Sequence, residues 1–114
     1  IFSFNLKFAV TELIDSNDLM IVYGASSVVL CGILLKKPIV MLNLKNYPSQ
    51  YNFFLDKNTM SICETMSQLS SIITDSLSTK ISNDMYDDYL QNQLGCNDGK
   101  SSERIAQIIT SIFK

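Results

Sequence analysis

At 114 residues, with 46% hydrophobic and 18% charged side chains and a formal net charge of -2, the chain is long enough for one packed domain and too apolar for global disorder. Its nine basic residues are scattered, with Lys36-Lys37 the only doublet, which speaks against nucleic acid as a partner. Histidine is missing altogether, which removes the commonest general base and the commonest zinc ligand.

Taken in chain order, residues 1–4 read as a short strand. The chain opens at Ile1, without methionine, inside that strand, so it reads as a piece of a longer protein. Residues 8–14 read as a helix, with Phe8, Ala9, Glu12 and Leu13 at helical spacing, although Val10 and Thr11 are weak helix formers. Ser16-Asn17-Asp18 is a turn cluster. Residues 19–23 form a short apolar run, hence a strand. A small polar bend follows, Tyr23-Gly24-Ala25-Ser26-Ser27.

Residues 27–35 read as a helix that is apolar almost all round and must be buried on several sides. Ser26 or Ser27 can cap it. Lys36 and Lys37 suit the negative end of its dipole, and Pro38 stops it. Residues 39–42 are the next strand, and residues 43–51 a polar loop holding Lys45 and Pro48. One helical turn is expected over 51–55 and a third short strand over 59–63. Residues 64–77 read as an amphipathic helix with Met66, Leu69, Ile72, Ile73 and Leu77 along one stripe. Residues 83–94 read as another, with Met85, Tyr86, Tyr89, Leu90 and Leu94 facing together and Gly95 as its stop. Ser101 or Ser102 caps a last helix reaching Phe113, with Ile105, Ile108, Ile109 and Ile112 in one stripe.

Strands and helices alternate, and the strands are continuous apolar runs. The fold class is therefore α/β, with a parallel sheet of about four strands covered by helices on both faces. Such sheets bind ligands outside the carboxyl ends of their strands. The bend after Tyr23 and the loop after Leu42 both lie there. The bend suits an anion, because the amides that open a helix lack internal partners and the dipole favours negative charge.

Each candidate also has a plainer reading. Gly24 to Ser27 fits an ordinary strand-to-helix turn with a serine cap. Lys36-Lys37 fits a solvated helix end, at the wrong end for the same anion, and Lys45 an exposed loop lysine. Gln50 and Asn52 fit loop hydrogen bonding. Asp87 and Asp88 are neighbours on a helix and do not face each other, so they form its wet face and not an acid/base pair. Asp98-Gly99-Lys100 fits a turn before the last helix. Carboxylates are spread out, so no metal site is expected. Cys31, Cys63 and Cys96 stand far apart, which argues against a disulfide scaffold or zinc knuckle and points to a reducing, cytoplasmic setting. Cys31 and Cys63 are expected in the core. No run reaches the ~18 apolar residues of a membrane span, and no signal peptide opens the chain.

The run from Asp18 through the Gly24-Ala25-Ser26-Ser27 bend to Leu30, followed by Lys37-Pro38-Ile39-Val40, resembles the donor-binding half of GT-B-fold enzymes. Nucleotide-sugar glycosyltransferases and the related UDP-N-acetylglucosamine 2-epimerases carry a similar pattern, an aspartate, a hydrophobic strand, paired serines or glycines and a later Gly-Lys-Pro. Gln50-Tyr51-Asn52 resembles the Gln/Asn-containing loop after that strand. Asp98-Gly99-Lys100-Ser101-Ser102-Glu103-Arg104-Ile105 resembles the G-x-A-x-E-R-I opening of the closing helix. The resemblance covers the chain from about Phe8 onward.

It implies a Rossmann-like domain, the C-terminal part of a two-domain, metal-independent glycosyltransferase. The nucleoside diphosphate of a nucleotide sugar such as a UDP-sugar would sit over Gly24, Ala25, Ser26 and Ser27. Asn43, Gln50 and Asn52 would approach sugar or phosphate, with Gln50 the best candidate for a sugar hydroxyl. Two departures stand out. Cys31 occupies the place of a glutamate that holds ribose hydroxyls in many members. The leading βα units and the acceptor domain are missing, so the chain alone is not expected to catalyse transfer. These departures keep a second reading open, a non-catalytic α/β interaction or regulatory subunit that pairs with a partner chain. A phosphotransfer or receiver-like domain fits less well, because no phosphorylatable histidine and no acidic cluster at a strand end is present.

Overall fold

The computed structural model describes residues 9–24, 26–44, 54–96 and 98–113. Three short apolar runs become the strands β1 (Met20–Tyr23), β2 (Ile39–Leu42) and β3 (Ser61–Cys63). They form one parallel sheet in the order β1-β2-β3. Met20 pairs with Ile39, Tyr23 with Leu42, and Leu42 with Cys63. Three strands thus stand among the described residues where about four were expected. The strand expected over residues 1–4 lies outside the described residues, as does most of the turn expected over 51–55.

Alternation along each strand puts Met20, Val22, Ile39, Met41 and Ile62 on one face. The helices α2 (Val28–Leu34) and α4 (Asn83–Leu94) cover that face. Val22, Val29, Ile33, Ile39, Met41, Met60, Tyr86, Tyr89 and Leu90 make one continuous core there. The other face, carrying Val40 and Cys63, lies under α3 (Leu69–Ser78), which packs on β2 and β3. The middle strand is consequently sealed, with Ile39 at 1%, Val40 at 0% and Met41 at 2% exposure. A parallel sheet requires that kind of two-sided cover. At the β1 edge the second face stays open, and Ile21 is exposed.

α2 is less enclosed than its composition suggests. Val29, Gly32 and Ile33 form one buried stripe, whereas Leu34 is exposed and Cys31 only half-buried. A core Cys31 is corrected by this; Cys63 is buried as expected. The sheet, α1 (Val10–Asp15) and α4 all pack against α2, and Leu34 is its exposed residue. Gly32 sets how close the sheet comes. A β-carbon there would lie 2.7 Å from Met20 Cε and 2.9 Å from Ile39 Cδ1.

The end of α2 is closed by backbone geometry before Pro38 is reached. The Lys37 amide donates to the Gly32 carbonyl at 2.9 Å, and the Lys36 amide to the Ile33 carbonyl at 3.0 Å. Lys36 takes the left-handed conformation, φ 53°. This is a Schellman stop with lysine in the position glycine usually fills. Lys36 is exposed and Lys37 half-buried at this helix end, and each also makes a hydrogen bond. Lys36 Nζ donates to Asn83 Oδ1 at 2.8 Å, reaching the start of α4. Lys37 Nζ donates to the Asp15 carbonyl at 2.8 Å, reaching the end of α1 (Val10–Asp15).

The remaining helices sit near their expected places with shifted faces. α1 begins at Val10, buries Ile14 and exposes Leu13. Residues 66–68 form a 3-10 turn, so the helical phase of α3 starts only at Leu69. Counting from Leu69, the inner positions are Leu69, Ile72, Ile73 and Ser76, and Met66 and Leu77 are left exposed. Ser76 is buried and its hydroxyl donates to the Ser61 hydroxyl at 2.6 Å. α4 spans its expected residues, buries Tyr86, Tyr89 and Leu90, and exposes Met85 and Leu94. Ser82 caps it, accepting from the Met85 amide at 3.3 Å, and Gly95 ends it at φ 71°. α5 (Ser101–Ile112) carries its isoleucine stripe to solvent. Among the described residues no helix is long and apolar enough to cross a membrane.

Two predictions follow from this packing. A left-handed backbone costs a residue with a β-carbon roughly 1–2 kcal/mol, and the exposed Lys36–Asn83 hydrogen bond returns less than that. Lys36→Gly is therefore expected to match or exceed the parent protein in urea unfolding, and Lys36→Val to lose about 1–2 kcal/mol. Tyr89 donates its hydroxyl to the Phe54 carbonyl at 2.7 Å. Burial first, and the Asp56 carboxylate second, push its pKa from 10.0 up to about 12. The folded state thus keeps a proton that the unfolded state releases near pH 10. Stability should be level below pH 10 and fall as the pH rises toward 12, and Tyr89→Phe should flatten that fall in denaturant midpoints measured from pH 9 to 12.

Candidate functional site

The carboxyl ends of the three strands open on one edge, the edge where parallel sheets of this kind take ligands. β1 leaves the sheet at Tyr23, and the chain must turn at once to enter α2. Gly24 makes the turn. It is buried, takes φ 70°, and donates its amide to the Leu42 carbonyl at 3.4 Å. A β-carbon at this φ would crowd the backbone, so glycine is the residue that fits.

The two serines divide the work at the start of α2. Ser26 is half-buried, and its hydroxyl oxygen accepts from the Val28 amide at 3.4 Å. Ser27 is exposed, already has helical dihedrals, and makes no side-chain cap. Ser26 is therefore the cap. The first turn is wound tightly: Val29 donates to the Ser26 carbonyl at 3.1 Å and Leu30 to the Ser27 carbonyl at 3.0 Å. Three of the amides that a helix start usually leaves open are thereby occupied. The amides of Ser26 and Ser27 and the Ser27 hydroxyl make no bond to the described residues, and these groups form the donor set of the bend.

Asn43 stands beside this bend. It follows β2 directly, is half-buried, and donates its amide to the Cys63 carbonyl at 2.8 Å. The pairing of Tyr23 with Leu42 makes Gly24 and Asn43 neighbours at the ends of adjacent strands. Gly24, Ser26, Ser27 and Asn43 are thus brought to one edge. Ala25, Gln50 and Asn52 lie outside the described residues, as does Lys45.

The end of β3 adds hydroxyls that the sequence pattern hides. The Cys63 thiol donates to the Thr65 carbonyl at 3.1 Å, and the Thr65 and Ser67 hydroxyls hydrogen-bond at 3.1 Å. Thr65 and Ser67 belong to the same carboxyl edge as Asn43. Read as part of one long helix over 64–77, they look like surface positions. The signal available was a Thr and Ser pair just after a three-residue strand.

Asp87 and Asp88 are exposed on α4. Among the described residues no group of three or more histidine, cysteine, aspartate or glutamate side chains gathers as a metal site would. A cleft of about 160 Å³ lies at the opposite, amino end of β2 and β3, lined by Pro38, Lys57, Ser61, Asp75 and Thr79 among others. The Asp98 motif organises the start of α5. Asp98 Oδ1 accepts from the Lys100 amide at 3.0 Å, and Arg104 Nη1 donates to both carboxylate oxygens at 2.9 and 3.0 Å. The Lys100 amide first, and Arg104 next, hold the carboxyl below the usual carboxylate range. α5 has no side-chain cap, from Ser101, Ser102 or Asp98, and Ser101 Oγ accepts from Arg104 Nη2 at 3.2 Å. Gly99 permits the turn with φ 73°.

No family model, no curated protein and no solved structure matches the chain.

Gly24 gives the site its most direct structural test. Gly24→Ala should lower unfolding free energy by about 1–2 kcal/mol, the cost of a β-carbon in the left-handed region. Chemical denaturation measures it, and an unchanged midpoint would mean the bend tolerates another geometry.

Proposed function

We propose that the chain is the nucleotide-sugar (donor) binding part of a GT-B-type glycosyltransferase. In this reading the sheet is the Rossmann-like C-terminal domain of a two-domain enzyme working in the cytoplasm. The observation that carries the proposal is the bend itself. Two amides without a partner among the described residues and an exposed hydroxyl, from Ser26 and Ser27, lie with Asn43 at the carboxyl edge of a parallel sheet. That donor set suits the oxygens of a diphosphate. α2 has only seven residues, so hydrogen bonds, more than its dipole, would hold the anion.

The chemistry is displacement of a nucleoside diphosphate from a sugar carbon. Negative charge grows on the leaving phosphate as the glycosidic bond breaks. Donors already fixed in place stabilise that charge without reorganising, which lowers the barrier. Gln50 is the proposed partner for a sugar hydroxyl, with Asn52 and Ala25 lining the same donor. No metal is required in this scheme. The base that activates the acceptor comes from an acceptor-binding domain, so the isolated chain binds donor without transferring sugar.

A second reading, a non-catalytic interaction or regulatory subunit, is favoured by one observation. The stripe Ile105, Ile108, Ile109 and Ile112 of α5 is exposed, as a surface awaiting a partner chain would be.

Calorimetry with UDP, CDP and GDP separates the two. Ser27→Ala should weaken diphosphate binding about five- to tenfold, the loss of one hydrogen bond to a charged group. Ser26→Ala keeps the backbone amide, so it should leave diphosphate affinity nearly unchanged while lowering stability by about 1 kcal/mol, because it removes the cap. Equal affinity in the parent and Ser27→Ala, or no binding of any diphosphate, would favour the interaction subunit.

A further inference from the structure

We draw no further inference here: the strongest candidate, the exposed isoleucine stripe of α5 (Ile105, Ile108, Ile109 and Ile112), is an unpartnered apolar helix face and nothing in the structure shows what covers it.

Discussion

The seating of α2 on the sheet is the constraint from which the rest follows. Val29 and Ile33 are fully buried, which stabilises the fold by roughly 1.5–3 kcal/mol each relative to exposure. Gly32 lets the helix axis come down between the tips of Met20 and Ile39. Once that helix is fixed, both its ends are fixed. Its start must meet the end of β1 within a few residues, which forces the left-handed turn at Gly24. Its end must return to β2, which forces the left-handed Lys36. The lysine side chains then fasten α2 to α1 and α4. One packing contact thereby places the bend at the carboxyl edge and the ties at the amino edge.

The bend is first of all a folding device. A short helix needs its first amides satisfied, and here the Ser26 hydroxyl and two tight backbone bonds satisfy them. The donor set that remains is small and lies one step ahead of the helix. It is supported from behind by β2 and β3, whose ends present Asn43, Thr65 and Ser67. Strand ends in a parallel sheet share one edge by construction, so neighbouring chain ends become a single surface. The hydrophobic register decides which residues reach it.

Much of this was legible in the sequence where the physical signal is local. Residues 19–23 and 39–42 are uninterrupted apolar runs bounded by turn residues, and both are strands. Asn83 to Leu94 has helical periodicity with glycine after it, and the helix ends there. Gly24, Ser26 and Ser27 announce a turn and a cap by residue type. The illegible features depend on phase and on distant partners. The 3-10 turn over residues 66–68 takes Met66 out of the stripe of α3, and at the other end of the helix Ser76, not Leu77, is buried. Its place is made tolerable by Ser61, fifteen residues away. Lys36 gives no hint of a left-handed backbone, because lysine seldom adopts one. Ser101 and Ser102 look like caps by residue type, yet they are the first two residues of α5 and cap nothing, while Asp98 holds the turn before it with Lys100 and Arg104. For the site, the division of labour between Ser26 and Ser27 depends on dihedral angles that no residue type reveals.

The central claim is that the bend from Gly24 to Ser27 holds a diphosphate. Amide chemical shifts of the uniformly labelled protein, followed during titration with UDP, report on it residue by residue. The account predicts saturable shifts at Gly24, Ser26, Ser27 and Asn43, with little change around Lys57 and Asp75. Shifts confined to the cleft at the opposite end of the sheet, or none at millimolar UDP, would contradict it.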